Sequence, residues 1–596
     1  MATDQEIQEL VHRIEEGRWV KWVQLSVLLA LMTGMFVAFV LDPWGWGLYK
    51  GLAHPKAMEQ AQIGRELSRG NGFSTKMIRP LAYTQFMTNT GSVTTANFPD
   101  SYHAPLWPVI LAPAFKIVKA WPESLVPFRL PSKDRLQMST RDYIYVGDRM
   151  VSAVAILFFF LSIVLNYFTV RRLFDHTLGI WTVALMLGCN LFWRYSMSGL
   201  PQMLMLFFFS GALYALVRAS EMHIEGRWPY LWLALVSLLF GLMALTHAIT
   251  IWAFAGALFF CTCYFKPRLQ TALLMAVVFL AVYSPWLARN YYTSGSPVGV
   301  SLYTALAGVK GSENMLMRSM DGDASGISFG TFRRKAQTNI SEQLGVLFDS
   351  FGRGLAAPVF FLGLLHLFKN QMPRSFRWAL FSMWIFSVIG MAVFGLDDDG
   401  GGGVHANDLN ILFIPLFTAY GMAFILVLWS RLEITVRLVR YAFFALIFGV
   451  SSLALVNTLN MSTRSPVQWP PYAPPFIAIM RDWTTPEEII TSDVPWAVAW
   501  YADRKSLWLP STIQSFLDLN DYQRMGGKIA GIYLTPFSGN KQLINEIVKG
   551  DYKEWSPFIL RNVNIKDFPF KSVTSMPLEQ QCIFYSDRDR WTERLE

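Results

Sequence analysis

The chain has 596 residues, 53% of them hydrophobic and only 16% charged, with 46 Phe, 22 Trp and a mean hydropathy of +0.31. That composition excludes an ordinary soluble domain and predicts a polytopic membrane protein. The net charge of +9 does not point to nucleic acid: no basic patch interleaved with aromatics stands outside the apolar segments, and in such a chain the placement of Lys and Arg among the loops matters more than their sum.

Residues 4–18 alternate acidic and basic side chains and predict an amphipathic cytoplasmic helix, within a leader of residues 1–19. No small-residue cleavage site follows the apolar run 20–41, so that run is expected to stay as an anchor. A first exterior loop, residues 42–142, comes next. In it Met58, Ile63 and Leu67 share one face of a predicted helix, leaving Glu59, Gln62, Arg65, Glu66 and Arg69 on a solvated remainder. Gly70 and Gly72 end that helix. The run 106–118, interrupted by Pro108 and preceded by Pro105, is too short to cross a bilayer and suits a helix lying at its surface. This polar loop reads as the roof of an active site at the membrane face.

Further apolar runs stand at 143–170, 177–193, 200–217, 230–245, 248–265, 269–287, 355–368, 376–396, 410–429 and 436–456. With the first, they predict about eleven transmembrane helices within residues 20–456. Basic residues concentrate in alternate loops: Arg171 and Arg172, Arg218 and Arg227, Lys266 and Arg268, Lys369 with Arg374 and Arg377, Arg431 with Arg437 and Arg440. If these loops are cytoplasmic, the N-terminus is inside and an odd number of spans puts the C-terminus outside. Residues 54–141, 194–199, 246–247, 290–353 and 397–408 then share the exterior face.

From residue 457 the composition becomes that of a soluble module. Pro466, Pro470, Pro471, Pro474 and Pro475 predict a stiff linker. Strands at 488–491, 506–509, 529–534 and 582–585 alternate with helices at 513–524 and 541–548, which predicts a small α/β domain spanning 457–596. Asp493, at a strand end, is expected to cap the following turn. Cys189, Cys261, Cys263 and Cys582 offer no disulfide framework.

Several strings, in this order, carry a resemblance: AMEQAQIGRELSRGNGF and HAPLWPVILAP in the first loop, DRMVSAVAILFFF in the second span, FGLMALTHA at a span end, and YSPWLARNYYTSGSPVGVSLYT after the seventh. The chain resembles the GT-C superfamily of membrane glycosyltransferases, which includes protein O-mannosyltransferases, aminoarabinose transferases of lipid A and oligosaccharyltransferase catalytic subunits. The string SDVPWAVAWYADRKSLWLP looks like the exterior domain that some bacterial members carry. The fold class expected is thus an α-helical polytopic membrane protein, GT-C-like, with a small C-terminal α/β exterior domain, in a bacterial inner membrane.

The resemblance implies transfer of a sugar, with inversion, from a polyprenyl-phosphate donor to a lipid, glycan or protein acceptor at the exterior face. Cationic groups must meet the donor phosphate there, and Arg79, Lys76, Arg149 and Arg289 are the candidates, with His247 at a span end where the family often has Lys. The family's acidic base position at the head of the first loop helix matches Lys56, which cannot accept a proton. Glu59, one turn onward and flanked by Lys56 and Arg65, is the substitute, with Asp100 next. A second acidic position of the family matches Gln202. The run LDDDGGGGVHANDLN offers Asp397, Asp398 and Asp399 as oxygen ligands for a divalent cation, the one cofactor left open. His103, His405 and Asn407 are expected to line the substrate cavity. The Lys56 and Gln202 departures keep a second reading open: a catalytically inactive GT-C-fold subunit that serves a membrane complex.

Overall fold

The structure, a computed structural model, describes residues 18–41, 49–52, 54–119, 144–322, 328–366, 368–396, 404–432, 437–460, 474–521, 525–536, 538, 549–561, 568–575 and 582–590. The expected leader helix, apart from Arg18, the helix at 541–548, and Asp397, Asp398 and Asp399 lie outside them.

Every one of the apolar runs holds a helix. The first is α1 (Arg18–Phe36), continued by a wide turn to Leu41. In the loop, α2 (Pro55–Arg69) starts on His54, whose Nδ1 accepts the Lys56 N–H at 3.2 Å, with Pro55 in the first turn, where its missing N–H costs nothing. Gly70 ends it at φ 87°, a left-handed turn that a side chain would strain. Next come β1 (Met77–Ile78) and α3 (Pro80–Thr90), neither anticipated from the pattern, and then the surface helix α4 (Leu106–Lys119). Helices α2 and α4 pack tightly through Gly64, where a Cβ would lie 3.0 Å from the Pro108 carbonyl and 3.1 Å from Leu111.

In the membrane body, α5 (Val146–Leu173) is long and apolar enough to span. The pair α6 (His176–Gly188) and α7 (Asn190–Ser198) is bent by 56° at Cys189. Next, α8 (Gln202–Ile224) spans, while α9 (Tyr230–Thr246) and α10 (Ile251–Tyr264) are shorter apolar helices on either side of His247. Then α11 (Arg268–Ser294) spans, and α12 (Glu313–Arg318) and α13 (Phe329–Gly345) follow in the long loop after it. The run 355–368 yields only the eight-residue α14 (Ala356–Gly363), about 12 Å long against a bilayer core of about 30 Å, so by itself it does not reach spanning length. Helices α15 (Gln371–Phe394), α16 (Asn410–Arg431) and α17 (Arg437–Asn460) complete the set. Among the described residues six helices reach spanning length, or seven with the bent pair.

The C-terminal part forms a six-stranded sheet in the order β1-β3-β2-β4-β6-β5, with β2 (Ile489–Ser492), β3 (Lys505–Trp508), β4 (Ile529–Leu534), β5 (Ser572–Ser575) and β6 (Ile583–Ser586). The first four strands in that order run parallel, and β6 runs antiparallel to both of its neighbours, β4 and β5. Its outermost parallel strand comes from the first loop: Met77 pairs with Ser506 and Ile78 with Leu507. Residues 457–596 therefore do not make the whole sheet. Arg318 also enters this domain, donating to the carbonyls of Leu509 (2.6 Å), Pro510 (3.1 Å) and Asp551 (2.8 Å), with its guanidinium 3.7 Å from the centre of the Tyr552 ring. Asp493 goes beyond a simple turn cap. It accepts from the Thr535 and Ser538 backbone and the Thr535 hydroxyl, and burial, only partly offset by these donors, pushes its carboxyl up to about 6.

The polar face of α2 differs from the amphipathic expectation. Glu59, Gln62, Arg65 and Glu66 are all buried, because the rest of the first loop folds back onto this face through Thr75, Arg79 and His103 and the C-terminal domain meets it at Arg65.

Candidate functional site

A cavity of about 470 Å³ opens where the first loop meets the ends of the spans. Its wall takes Lys56, Gln60, Tyr102 and His103 from the first loop, Leu200 and Pro201 before α8, His247 between α9 and α10, Trp286 and Asn290 from α11, and Ala406 and Asn407 before α16. These come from, or directly adjoin, five loops that the charge pattern assigns to one face, so the structure brings them to one end of the helix body.

Glu59 stands one layer behind this wall. It is 4% exposed, and its Oε2 accepts from Arg79 and contacts His103 Nε2 at 2.5 Å. Burial opposes its ionisation, but the Arg79 charge and the His103 hydrogen bond outweigh burial and hold the carboxyl down at about 2. The ionised partner is therefore Arg79, not the Lys56 and Arg65 that helical spacing suggested. Lys56 pairs instead with Glu313 at 3.5 Å, and Arg65 turns to the C-terminal domain.

A carboxylate only accepts, so His103 donates Nε2–H to Glu59. Its Nδ1 is then the acceptor, 3.3 Å from the Gln60 amide nitrogen. Asp100 fixes the loop that carries this ring: its Oδ2 accepts the backbone N–H of Tyr102 (3.1 Å) and of His103 (2.7 Å). Asp100 also lies 3.8 Å from Arg79, so it braces the site from behind and does not line the cavity. Tyr102 donates its hydroxyl to Glu313, with the Arg79 guanidinium 4.0 Å and the Lys56 ammonium 5.3 Å from its ring centre.

The expected phosphate ligands separate. Arg289 donates to the carbonyl of Asp100 and to Asn290 Oδ1 at 2.9 Å, beside Trp286 on the cavity wall. Arg79 is buried behind the wall with Glu59. Arg149 lies elsewhere, donating to the carbonyls of Val40 and Leu41, while the Asp148 beside it accepts from Trp500 Nε1 (2.7 Å) and the Tyr501 hydroxyl (3.1 Å). Lys76 is spent on Asp503 at 2.5 Å. His247 does line the cavity, with its Nδ1 facing the Ile249 N–H at 3.4 Å. Asn407 lines it too, whereas His405 lines a separate cavity. Gln202 holds the 405–408 loop, donating to the carbonyls of Ala406 (2.7 Å) and His405 (3.3 Å). Among the described residues no group of three or more His, Cys, Asp or Glu is placed to hold a metal ion.

Sequence reasoning missed Gln60, Tyr102 and the ion cluster at Asp503. The available signal was spacing: Lys56 and Gln60 are one turn apart, as are Arg65 and Arg69, so each pair shares a face.

The dolichyl-phosphate-mannose-protein mannosyltransferase family profile matches residues 144–288. No curated protein matches the chain by sequence. Among solved structures, ArnT from Cupriavidus metallidurans bound to undecaprenyl phosphate is similar at a TM-score of 0.51 and 11% identity, over 96% of this chain and 98% of that one. The Archaeoglobus fulgidus oligosaccharyltransferase tethered with an acceptor peptide matches at 0.51 and 12%, over 96% and 75%. AglB from the same organism, in complex with an inhibitory peptide and a dolichol-phosphate, matches at 0.50 and 13%, over 97% and 75%. These matches extend over nearly the whole chain, so the chain shares the overall fold of these neighbours, the GT-C fold.

Proposed function

We propose that this chain is an integral-membrane glycosyltransferase that moves a sugar from a polyprenyl-phosphate carrier to an acceptor at the exterior membrane face. The observation that carries the reading is the His103–Glu59–Arg79 constellation: an imidazole on the cavity wall, oriented by a buried carboxylate that a buried guanidinium keeps ionised. An acceptor hydroxyl attacking the sugar must lose its proton as the bond from the sugar to phosphate breaks and the electron pair leaves with the phosphate. His103 Nδ1 takes that proton once the Gln60 amide that donates to it turns away, and Glu59 stabilises the imidazolium that forms, as a triad carboxylate does. Glu59 is thus the orienting group and His103 the base. Lys56, on the wall, is suited to the developing phosphate charge, supported by Arg289 and His247.

The fold neighbours that hold undecaprenyl phosphate and dolichol-phosphate support a lipid-phosphate donor. Incubation of the purified protein in nanodiscs with radiolabelled polyprenyl-phosphate sugars is expected to release free carrier phosphate and consume the donor. If no such donor is consumed, the inactive-subunit reading gains.

Orientation follows from the basic loops: the N-terminus in the cytoplasm and the cavity and C-terminal domain outside. An alkaline phosphatase fused after Glu596 should be active, whereas a reporter there that works only in the cytoplasm would reverse the assignment.

A further inference from the structure

We infer that the second cavity, on the far side of the 405–408 loop from the proposed catalytic one, is a binding site for a phosphate monoester anion. It encloses about 350 Å³ between α7, the segment after α13, the 405–408 loop and α17. Arg194 and Arg353 line it, with Asp349, Asp408 and His405 as the other titratable groups on its wall. Two of these charges are already engaged: Asp349 accepts from Arg353, and Asp408 Oδ1 accepts the Asn410 N–H at 2.8 Å.

Arg194 differs from them. It is half-buried on the cavity wall and makes no direct hydrogen bond or ion pair among the described residues; the Asp349 carboxylate, engaged by Arg353, acts on it only through space, although a guanidinium withdrawn from water calls for a direct partner. Beside it, Asn190 Oδ1 is buried and unbonded, and rotation of that amide would present its NH2 to the same space. A guanidinium fork and an amide donor together fit the oxygens of a phosphate. The remaining wall includes Leu191 and Ala454. Val450 and Leu453 stand exposed on the same helix as Ala454, so a hydrocarbon chain attached to the phosphate would leave along α17 into lipid.

The site is coupled to the catalytic cavity by construction. His405 faces this cavity, Ala406 and Asn407 face the other, and Gln202 holds the loop between them. An anion on Arg194 would therefore bear on the loop that shapes the second wall.

The test needs no turnover, so it stands apart from the proposed activity. The full chain in nanodiscs of neutral lipid is titrated calorimetrically with inorganic phosphate and, separately, with dihexanoyl phosphatidic acid. Both should bind, and a lipid affinity well above that of phosphate identifies a headgroup site, whereas equal affinities identify a free-phosphate site. Arg194→Gln should weaken binding at least about tenfold, the scale of one lost charge-assisted hydrogen bond. Ala454→Trp, which fills the cavity and leaves the cations in place, should weaken it too and decides the matter if Arg194→Gln fails to fold. Absence of binding to the unmodified chain, or binding by both variants as tight as the unmodified chain's, overturns the inference.

Discussion

Glu59→Gln should lower turnover by about two orders of magnitude or more, the usual scale for disabling a general base, while KM for the donor changes little. Gln keeps the size of the side chain and still accepts the His103 Nε2–H, but it removes the charge that stabilises an imidazolium. It also removes the ion-pair partner of buried Arg79, leaving Asp100, 3.8 Å away, as its one carboxylate among the described residues. His103→Ala should cost at least as much, and added imidazole should restore part of the activity, a rescue that a purely structural role would not show. The pH profile supplies a further check. Glu59 is depressed to about 2, so its contribution to stability is present above the unfolded carboxylate range, about 4, and is lost only as pH falls toward 2. An acid limb of activity between pH 5 and 7 would then not belong to Glu59. Full activity in Glu59→Gln would overturn Glu59 as the orienting group, and full activity in His103→Ala would move the base elsewhere.

The second large effect concerns Asp503, which joins the C-terminal domain to the loop that carries the site. Its carboxylate accepts from Arg65 (3.1 Å), Arg69 (2.8 Å) and Lys76 (2.5 Å), while Arg65 also donates to the carbonyls of Ala499 and Trp500 at 2.8 Å. Asp503→Asn leaves three cations facing one another with Glu66 as their remaining acid. The loss should be on the order of 3 kcal/mol, because removing one partner of a largely buried pair strands the others. Thermal unfolding in detergent should show a midpoint several degrees lower than that of the unmodified chain, and turnover should fall with it as α2 loosens. Burial raises the Asp503 carboxyl, but Arg65, Arg69 and Lys76 hold it far below the ordinary carboxylate range. Its stabilisation is therefore complete above about pH 4 and decays only in strong acid. The unmodified and variant midpoints should differ by a constant amount near neutral pH and converge only well below pH 4. A difference that vanishes near pH 6 would rule out this ion cluster as the cause.

The sequence by itself determined the parts that local physics controls. Apolar run length and the alternation of basic loops determined the helical membrane body and the clustering of loops at one end, since hydrocarbon admits only segments that satisfy their own backbone hydrogen bonds. Turn chemistry at His54, Pro55 and Gly70 determined α2, and four strands of the C-terminal sheet followed from their composition to within one residue. Tertiary structure alone decided the rest. The strand Met77–Ile78 is too short to announce itself and exists because β3 offers an unpaired edge 429 residues downstream, as from Met77 to Ser506. The polar face of α2 reads as solvated by periodicity, yet it is buried, because its charges find Arg79, His103 and Asp503 through folding and not through helical spacing. For the same reason His103, and not Glu59, lines the cavity: spacing along a helix tells which residues are neighbours on it, whereas the group that reaches a cavity is set by what packs behind.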